Sequence, residues 1–365
     1  MALKSAETSP PDPDTPNGAP TLEHNLTELR RKGGLPEKQA LRGFEPQYRD
    51  IVDYIVRITH RIWEEGDMGY IYDTYLHNVT VHTGFGTAYG VEEVVSGSIA
   101  FLAALPDRRM YAEDVVWTGD DVAGFHTSHL IVNTGTNSGY SPWGPPTGKR
   151  VGFLALANCL VRENRIVEEW LVRDTGALLR GMGFDLWEVA RAAVRTLPPR
   201  VFGETDRLQG QHPPVSYEPH HDEPHVEGPH IEDFVRRLFH EVWNGRHFNV
   251  LSEVYAGDSS LLVPGGLTLR GVANSRAYHL NFIAMFPDAH LNVEHVYWLG
   301  TDADGYRVAV RWRFAGTHTR YGWYGPPTDK RVDILGISHL HVKDGKVTKH
   351  YLVFDELAVV MQLVA

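Results

Sequence analysis

Histidine and carboxylate side chains recur along this chain at positions that strand alternation assigns to common faces. His318 shares parity with Val308, Val310, Trp312 and Phe314, so it should stand on the same apolar wall. Asp355 shares parity with Val347, Tyr351 and Val353. In the N-terminal half, His129, Asn137, Glu168, Trp170 and Asp174 read as one inner face, with His82 on a short strand beside them. Such a set can move protons. Abstraction of a proton α to a carbonyl needs a base of near-neutral pKa, and burial raises a carboxylate toward that range. A neighbouring imidazole can orient that carboxylate or protonate the enolate oxygen. The structural alternatives are that Asp355 caps the segment after it, that His318 is a hydrogen-bonded wall residue, and that His82 is a core histidine. Two histidines with carboxylates could also hold a divalent cation. The spacing contains no His-x-x-His or Glu-x-x-His motif, so no metal site is expected.

The elements that position these residues occur twice. Gly144-Pro145-Pro146-Thr147-Gly148-Lys149-Arg150-Val151 returns as Gly325-Pro326-Pro327-Thr328-Asp329-Lys330-Arg331-Val332, at an offset of 325 − 144 = 181. That offset also pairs Pro106-Asp107 with Pro287-Asp288, Gly90-Val91 with Gly271-Val272, and Asp174 with Asp355. Trp63 and Tyr75 pair with Trp243 and Tyr255 at 180, so one residue is inserted between Tyr75 and Gly90 or their counterparts. A period this long makes each copy a domain and not a solenoid unit. Each opens with an amphipathic helix (Ile51, Ile55, Ile58 and Ile62 in the first) and adds a short helical segment, a brief strand and a helix stopped by Pro106 or Pro287. Period-two patterning then takes over, and Asp344-Gly345 marks a tight hairpin that Glu163-Asn164 replaces in the first copy. The fold class is therefore α+β, two tandem cones of curved antiparallel sheet packed on about three helices each.

Boundaries follow from composition. Residues 1–48 form a Pro-rich, then charged, leader expected to be partly disordered or draped over the first domain; the domains span 49–195 and 230–365. The linker, 196–229, is rich in Pro and His; together with His230 at its end it carries five histidines that read as solvated, not as a preorganised metal site. A net charge of −11 argues against nucleic acid and anionic membrane as partners. One cysteine, Cys159, excludes an intrachain disulfide, and with no apolar leader segment a cytoplasmic location is expected.

Glu241, Trp243 and Asn244 on the opening helix, Phe286-Pro287-Asp288, Gly316-Thr317-His318-Thr319 before the Gly-Pro-Pro-Thr loop, and the closing Phe354-Asp355-Glu356-Leu357 resemble a SnoaL-like domain of the nuclear transport factor 2-like superfamily. The resemblance covers nearly all of 230–365 and, more loosely, 49–185. It implies that His318 and Asp355 form an acid/base pair at the inner end of a cone, acting without metal or organic cofactor. It also implies that the two copies pair intramolecularly through their outer sheet faces, with further homodimerisation open. The first copy departs from that pattern, with Asn137 where the second has His318. His82, His129 and Asp174 are its catalytic candidates, and Asn137, Glu168, Trp170 and Trp143 its substrate contacts. Tyr351 and Trp323 are the substrate contacts of the second copy. The function implied is a lyase, isomerase or aldol-type cyclase working on a small carbonyl- or hydroxyl-bearing metabolite. A non-catalytic binding module and a hydrolase with carboxylate-activated water are the rivals.

Overall fold

The computed structural model describes residues 22–32, 39–196 and 231–365; the linker histidines lie outside them. Helix α1 (Leu22–Lys32) belongs to the segment read as a leader, and it packs Leu26 and Leu29 into the first domain. Helix α2 (Ile51–Trp63) starts where the Asp50 carboxylate accepts from the Asp53 amide at 2.8 Å, an N-cap that satisfies an otherwise orphan donor. Its four isoleucines enter the core.

After α3 (Ile71–Thr74) the first domain runs β1 (Tyr75–Thr83), β2 (Gly86–Tyr89), α4 (Val91–Ala104), β3 (Arg109–Asp120), β4 (Gly124–Thr136), β5 (Arg150–Arg162), β6 (Arg165–Arg173), α5 (Thr175–Met182) and α6 (Leu186–Thr196). The second repeats it as α7 (Ile231–Phe239, extended by a π turn over His240–Asn244), α8 (Val250–Val254), β7 (Tyr255–Val263), β8 (Leu267–Arg270), α9 (Gly271–Met285), β9 (His290–Thr301), β10 (Gly305–Thr317), β11 (Arg331–Lys343), β12 (Lys346–Phe354) and α10 (Glu356–Val364). The sheets have the orders β2-β1-β6-β5-β4-β3 and β8-β7-β12-β11-β10-β9. Each is antiparallel except for one parallel pair, β1 with β6 and β7 with β12, so the sheets are mixed. Both closing hairpins use two positive-φ residues, Glu163-Asn164 and Asp344-Gly345, which matches the right-handed twist of the flanking strands.

Each sheet keeps one face for its own helices and turns the opposite face toward the other domain's sheet. Leu130, Leu156 and Val172 meet Leu335, Ile337, Tyr351 and Val353 in one buried cluster. Ser128 Oγ and His339 Nε2 lie 2.7 Å apart across it, and Arg307 pairs with Asp114. Helix α6 also buries Leu186, Val189 and Ala190 in the second domain's core.

The inserted residue falls in the β1–β2 turn and its counterpart. The first copy turns through Gly84-Phe85 and the second through Pro264-Gly265-Gly266. These turns dock reciprocally on the helix start that follows the last strand of the other domain. Asp174 Oδ1 accepts from Gly265 N at 2.8 Å and Oδ2 from Gly266 N at 2.9 Å, while Oδ1 also caps α5 through Ala177 N at 2.9 Å. On the other side the shorter turn offers no such amides. Gly84 instead packs against Asp355 and Ala358, and Thr175 Oγ1 donates to Asp355 Oδ2 at 2.6 Å.

Candidate active site

The two cones are filled differently, and the duplication shows how. In the second, Trp312, Phe314 and Phe354 are buried to 1% exposure or less. Trp312 stacks at 6.2 Å on Trp243 and donates from Nε1 to Ser338 Oγ at 3.0 Å. Phe282 lies 5.3 Å from Phe314 and 5.6 Å from Phe354. At the matching positions the first cone carries Ile131, Asn133 and Arg173. Smaller and polar side chains leave a cavity of about 40 Å³, several times the minimum for one water.

Its apolar wall includes Ile55, Ile58, Trp63, Ile131, Ile166 and Leu171, and the polar groups that converge on it are Tyr75, Arg108, His129, Glu169 and Arg173. Tyr75 OH donates to Glu169 Oε2 at 3.1 Å. Burial raises the Glu169 carboxyl above its ordinary value, against the opposing pull of Arg173 and the Tyr75 hydroxyl. Burial holds the His129 imidazole down at about 3, so it is neutral at physiological pH. Its Nε2 is buried and has no hydrogen-bond partner among the described residues, which is a cost unless a ligand satisfies it. Arg108 is 6% exposed and donates from Nε (3.0 Å) and Nη2 (2.6 Å) to the neutral Asn133 Oδ1. A mostly apolar cavity with a few convergent, shifted ionisable groups has the lining of a small-molecule site, at a volume well below the roughly 300–1,000 Å³ of typical ligand pockets.

Of the residues singled out from the sequence, His129 lines this cavity. Glu168, Trp170 and His82 do not share its face. His82 Nε2 lies 2.9 Å from Glu168 Oε1 and its ring stacks on Trp170 at 5.1 Å, while Arg311 of the second domain covers Trp170 at 3.6 Å. Tyr351 likewise points to the domain interface, donating to Glu113 Oε1 at 2.7 Å. The reason is that Asp174 and Asp355 lie one residue beyond strands β6 and β12. Alternation counted back from them selects the wrong face, and Glu169, Leu171 and Arg173 are the inward residues.

Asp174 and Asp355 cap α5 and α10, as the structural alternative had it for Asp355. Asn137 is committed to its loop, accepting from Thr147 N at 3.0 Å and donating to the carbonyls of Gly139 (3.0 Å) and Ala104 (3.3 Å). His318 holds the matching loop through Thr328 Oγ1 at 3.2 Å and packs on Phe286 at 5.5 Å. No hydrogen bond or ion pair joins it to Asp355 among the described residues. Trp143 meets Phe101 edge-on at 6.2 Å, and Trp323 lies against Tyr278 at 5.0 Å. Arg108, Glu169 and Arg173 escaped the sequence reading. The signal was available in the repeat, where their counterparts are Ala289, His350 and Phe354.

Asp355 makes a measurable prediction. Burial pushes its carboxyl up to about 7 despite donors from Thr175 and Ala358. Between the unfolded carboxyl value near 3.9 and about 7, the folded chain holds a proton that the unfolded chain has released. Its contribution is therefore complete at low pH and is lost as pH rises through 7. Asp355→Asn should melt a few degrees above the unaltered protein at pH 8 and flatten the dependence of melting temperature on pH between 5 and 8. A variant that melts lower at pH 8 would refute this.

No helix among the described residues is long and apolar enough to cross a membrane. No curated protein matches the chain. Two of the solved structures similar to it each match less than half of this chain and nearly all of their own. One is a candidate SnoaL-like polyketide cyclase from Jannaschia sp. CCS1, 23% identical, covering 39% of this chain and 99% of its own, with a TM-score of 0.35. Another is IdmH of Streptomyces antibioticus, a candidate polyketide cyclase, 22% identical over 37% of this chain and 98% of its own, with a TM-score of 0.32. The family model for SnoaL-like polyketide cyclases matches residues 54–182 and again 233–363. With both copies matched, over more than half of its length, the chain belongs to the SnoaL-like polyketide cyclase family.

Proposed function

We propose that the first cone is an acid/base catalytic site for a small carbonyl compound and that the second is its structural partner. The observation that carries this reading is the buried Glu169 carboxyl, with its raised pKa, facing a cavity beside an unpartnered imidazole nitrogen. As a carboxylate, Glu169 takes the proton α to the carbonyl. The C–H bond breaks, an O–H bond forms on Glu169, and the electron pair moves to the carbonyl oxygen. His129, in its Nε2–H tautomer, donates to that oxygen as charge develops, as a neutral imidazole can. The Tyr75 hydroxyl orients the carboxylate. Return of the proton to another carbon gives an isomerase, and attack of the enolate on a second carbonyl gives an aldol-type cyclase.

The test needs no knowledge of the natural substrate. Levulinate incubated with the protein in D₂O should lose its signals α to the ketone, by proton NMR, faster than in buffer. Exchange should fall as pH drops through the raised Glu169 value, because only the ionised form is a base. Binding without exchange at any pH would favour a non-catalytic binding module.

A further inference from the structure

We infer that the ligand of the first cone carries a carboxylate, held by Arg108 and Arg173. This rests on the first cone being the small-molecule site, and it names the class of molecule that the site takes. Both arginines line the cavity. Their guanidinium carbons lie 4.8 and 5.3 Å from the centroid of one ring, Phe101, so one aromatic plate holds the pair together. Burial lowers the tendency of both to stay charged, and the nearby Arg173 adds to that effect on Arg108. Arg108 makes no ion pair among the described residues, and its acceptor, Asn133, is neutral. Glu169 and Asp355 near Arg173, and Glu64 near Arg108, offset part of this charge, but none of them makes an ion pair with either guanidinium among the described residues, and Glu169 is the proposed base.

The second copy is an internal control. It closes the same fold with Ala289 and Phe354 at these positions, so the fold itself does not require the cations. Two arginines retained beside a small apolar cavity fit a carboxylate, which matches the planar guanidinium fork two oxygens to two N–H groups.

The experiment is calorimetric titration of the intact chain with benzoate, benzamide and inorganic phosphate. Benzoate and benzamide share shape and differ in charge. Benzoate should bind at least about tenfold more tightly than benzamide. Arg108→Gln, which still donates to Asn133, and Arg173→Gln should each weaken benzoate about tenfold or more and leave benzamide unchanged. Equal binding of the two probes, no binding of either at millimolar concentration, or displacement of benzoate by equimolar phosphate would overturn the assignment. Should either variant fail to fold by circular dichroism, the benzoate-to-benzamide ratio on the unaltered protein still decides. Tight benzoate binding without levulinate exchange would sink the catalytic reading and leave this one standing. Exchange of 2-pentanone as fast as levulinate, with no benzoate preference, would do the reverse.

Discussion

Glu169→Gln should slow levulinate exchange by about 10²–10⁴-fold, the range that a positioned general base contributes. Gln keeps the shape and can still accept from the Tyr75 hydroxyl, so the bond recorded at 3.1 Å has a replacement. It also removes a buried charge whose desolvation opposes folding. The melting temperature should therefore stay level or rise while the rate collapses, and that divergence separates a chemical role from a packing one. Benzoate binding should persist, because both arginines remain. A variant that exchanges levulinate at the unaltered rate would remove Glu169 from the mechanism. Loss of both rate and melting temperature would make it a structural carboxylate.

Gly336→Ala should be among the most damaging single methyls in the second domain. An added Cβ would meet Trp312 at Cζ2, Cη2 and Cε2, well inside the 3.0 Å that real Cβ atoms respect. The indole cannot withdraw, since it is stacked on Trp243 and tied to Ser338. Overpacking of this kind costs about 1–3 kcal/mol and occasionally more; the upper end is expected here, a fall of roughly 6–12 °C at about 2–4 °C per kcal/mol. The first copy indicates the remedy, because Ala155 there faces Ile131. Trp312→Ile alone should be destabilising through the void it opens, by less than the about 3–5 kcal/mol of a Trp→Ala truncation. Combined with Gly336→Ala, it should cost clearly less than the two single effects added, a coupling that thermal melts would read directly. Strict additivity would show that the two sites do not touch.

The repeat made the architecture legible, because two copies that keep the same Pro-Asp, Gly-Val and Gly-Pro-Pro-Thr punctuation must keep the same turns. His129 was also legible, since β4 alternates without interruption through Ser128, His129 and Leu130. The faces of β6 and β12 were not. Alternation holds only within a strand, and the conspicuous aspartates sit just outside it; the shift of register between Leu160 and Val161 adds a second break. Arg108 was hidden for another reason. It follows Pro106-Asp107 in a turn before β3, where an arginine is ordinarily solvated, and only the folded cone turns it inward. The inserted residue of the β7–β8 turn was visible as an offset of 180 changing to 181. That its amides would hold a carboxylate of the other domain could not be seen without the fold.

That turn bears on how two such different pockets could arise. In a dimer of identical subunits related by a twofold axis, every substitution appears twice and every interface contact is made in both directions. A turn with an extra glycine would then dock on both sides, and a tryptophan that fills one cone would fill both. Covalent fusion lifts that constraint. Here Asp174 is clasped by Gly265 and Gly266 while Asp355 must make do with a threonine hydroxyl, a broken symmetry available only to halves that mutate independently. One half was then free to become a rigid wall, and the other to keep a hollow.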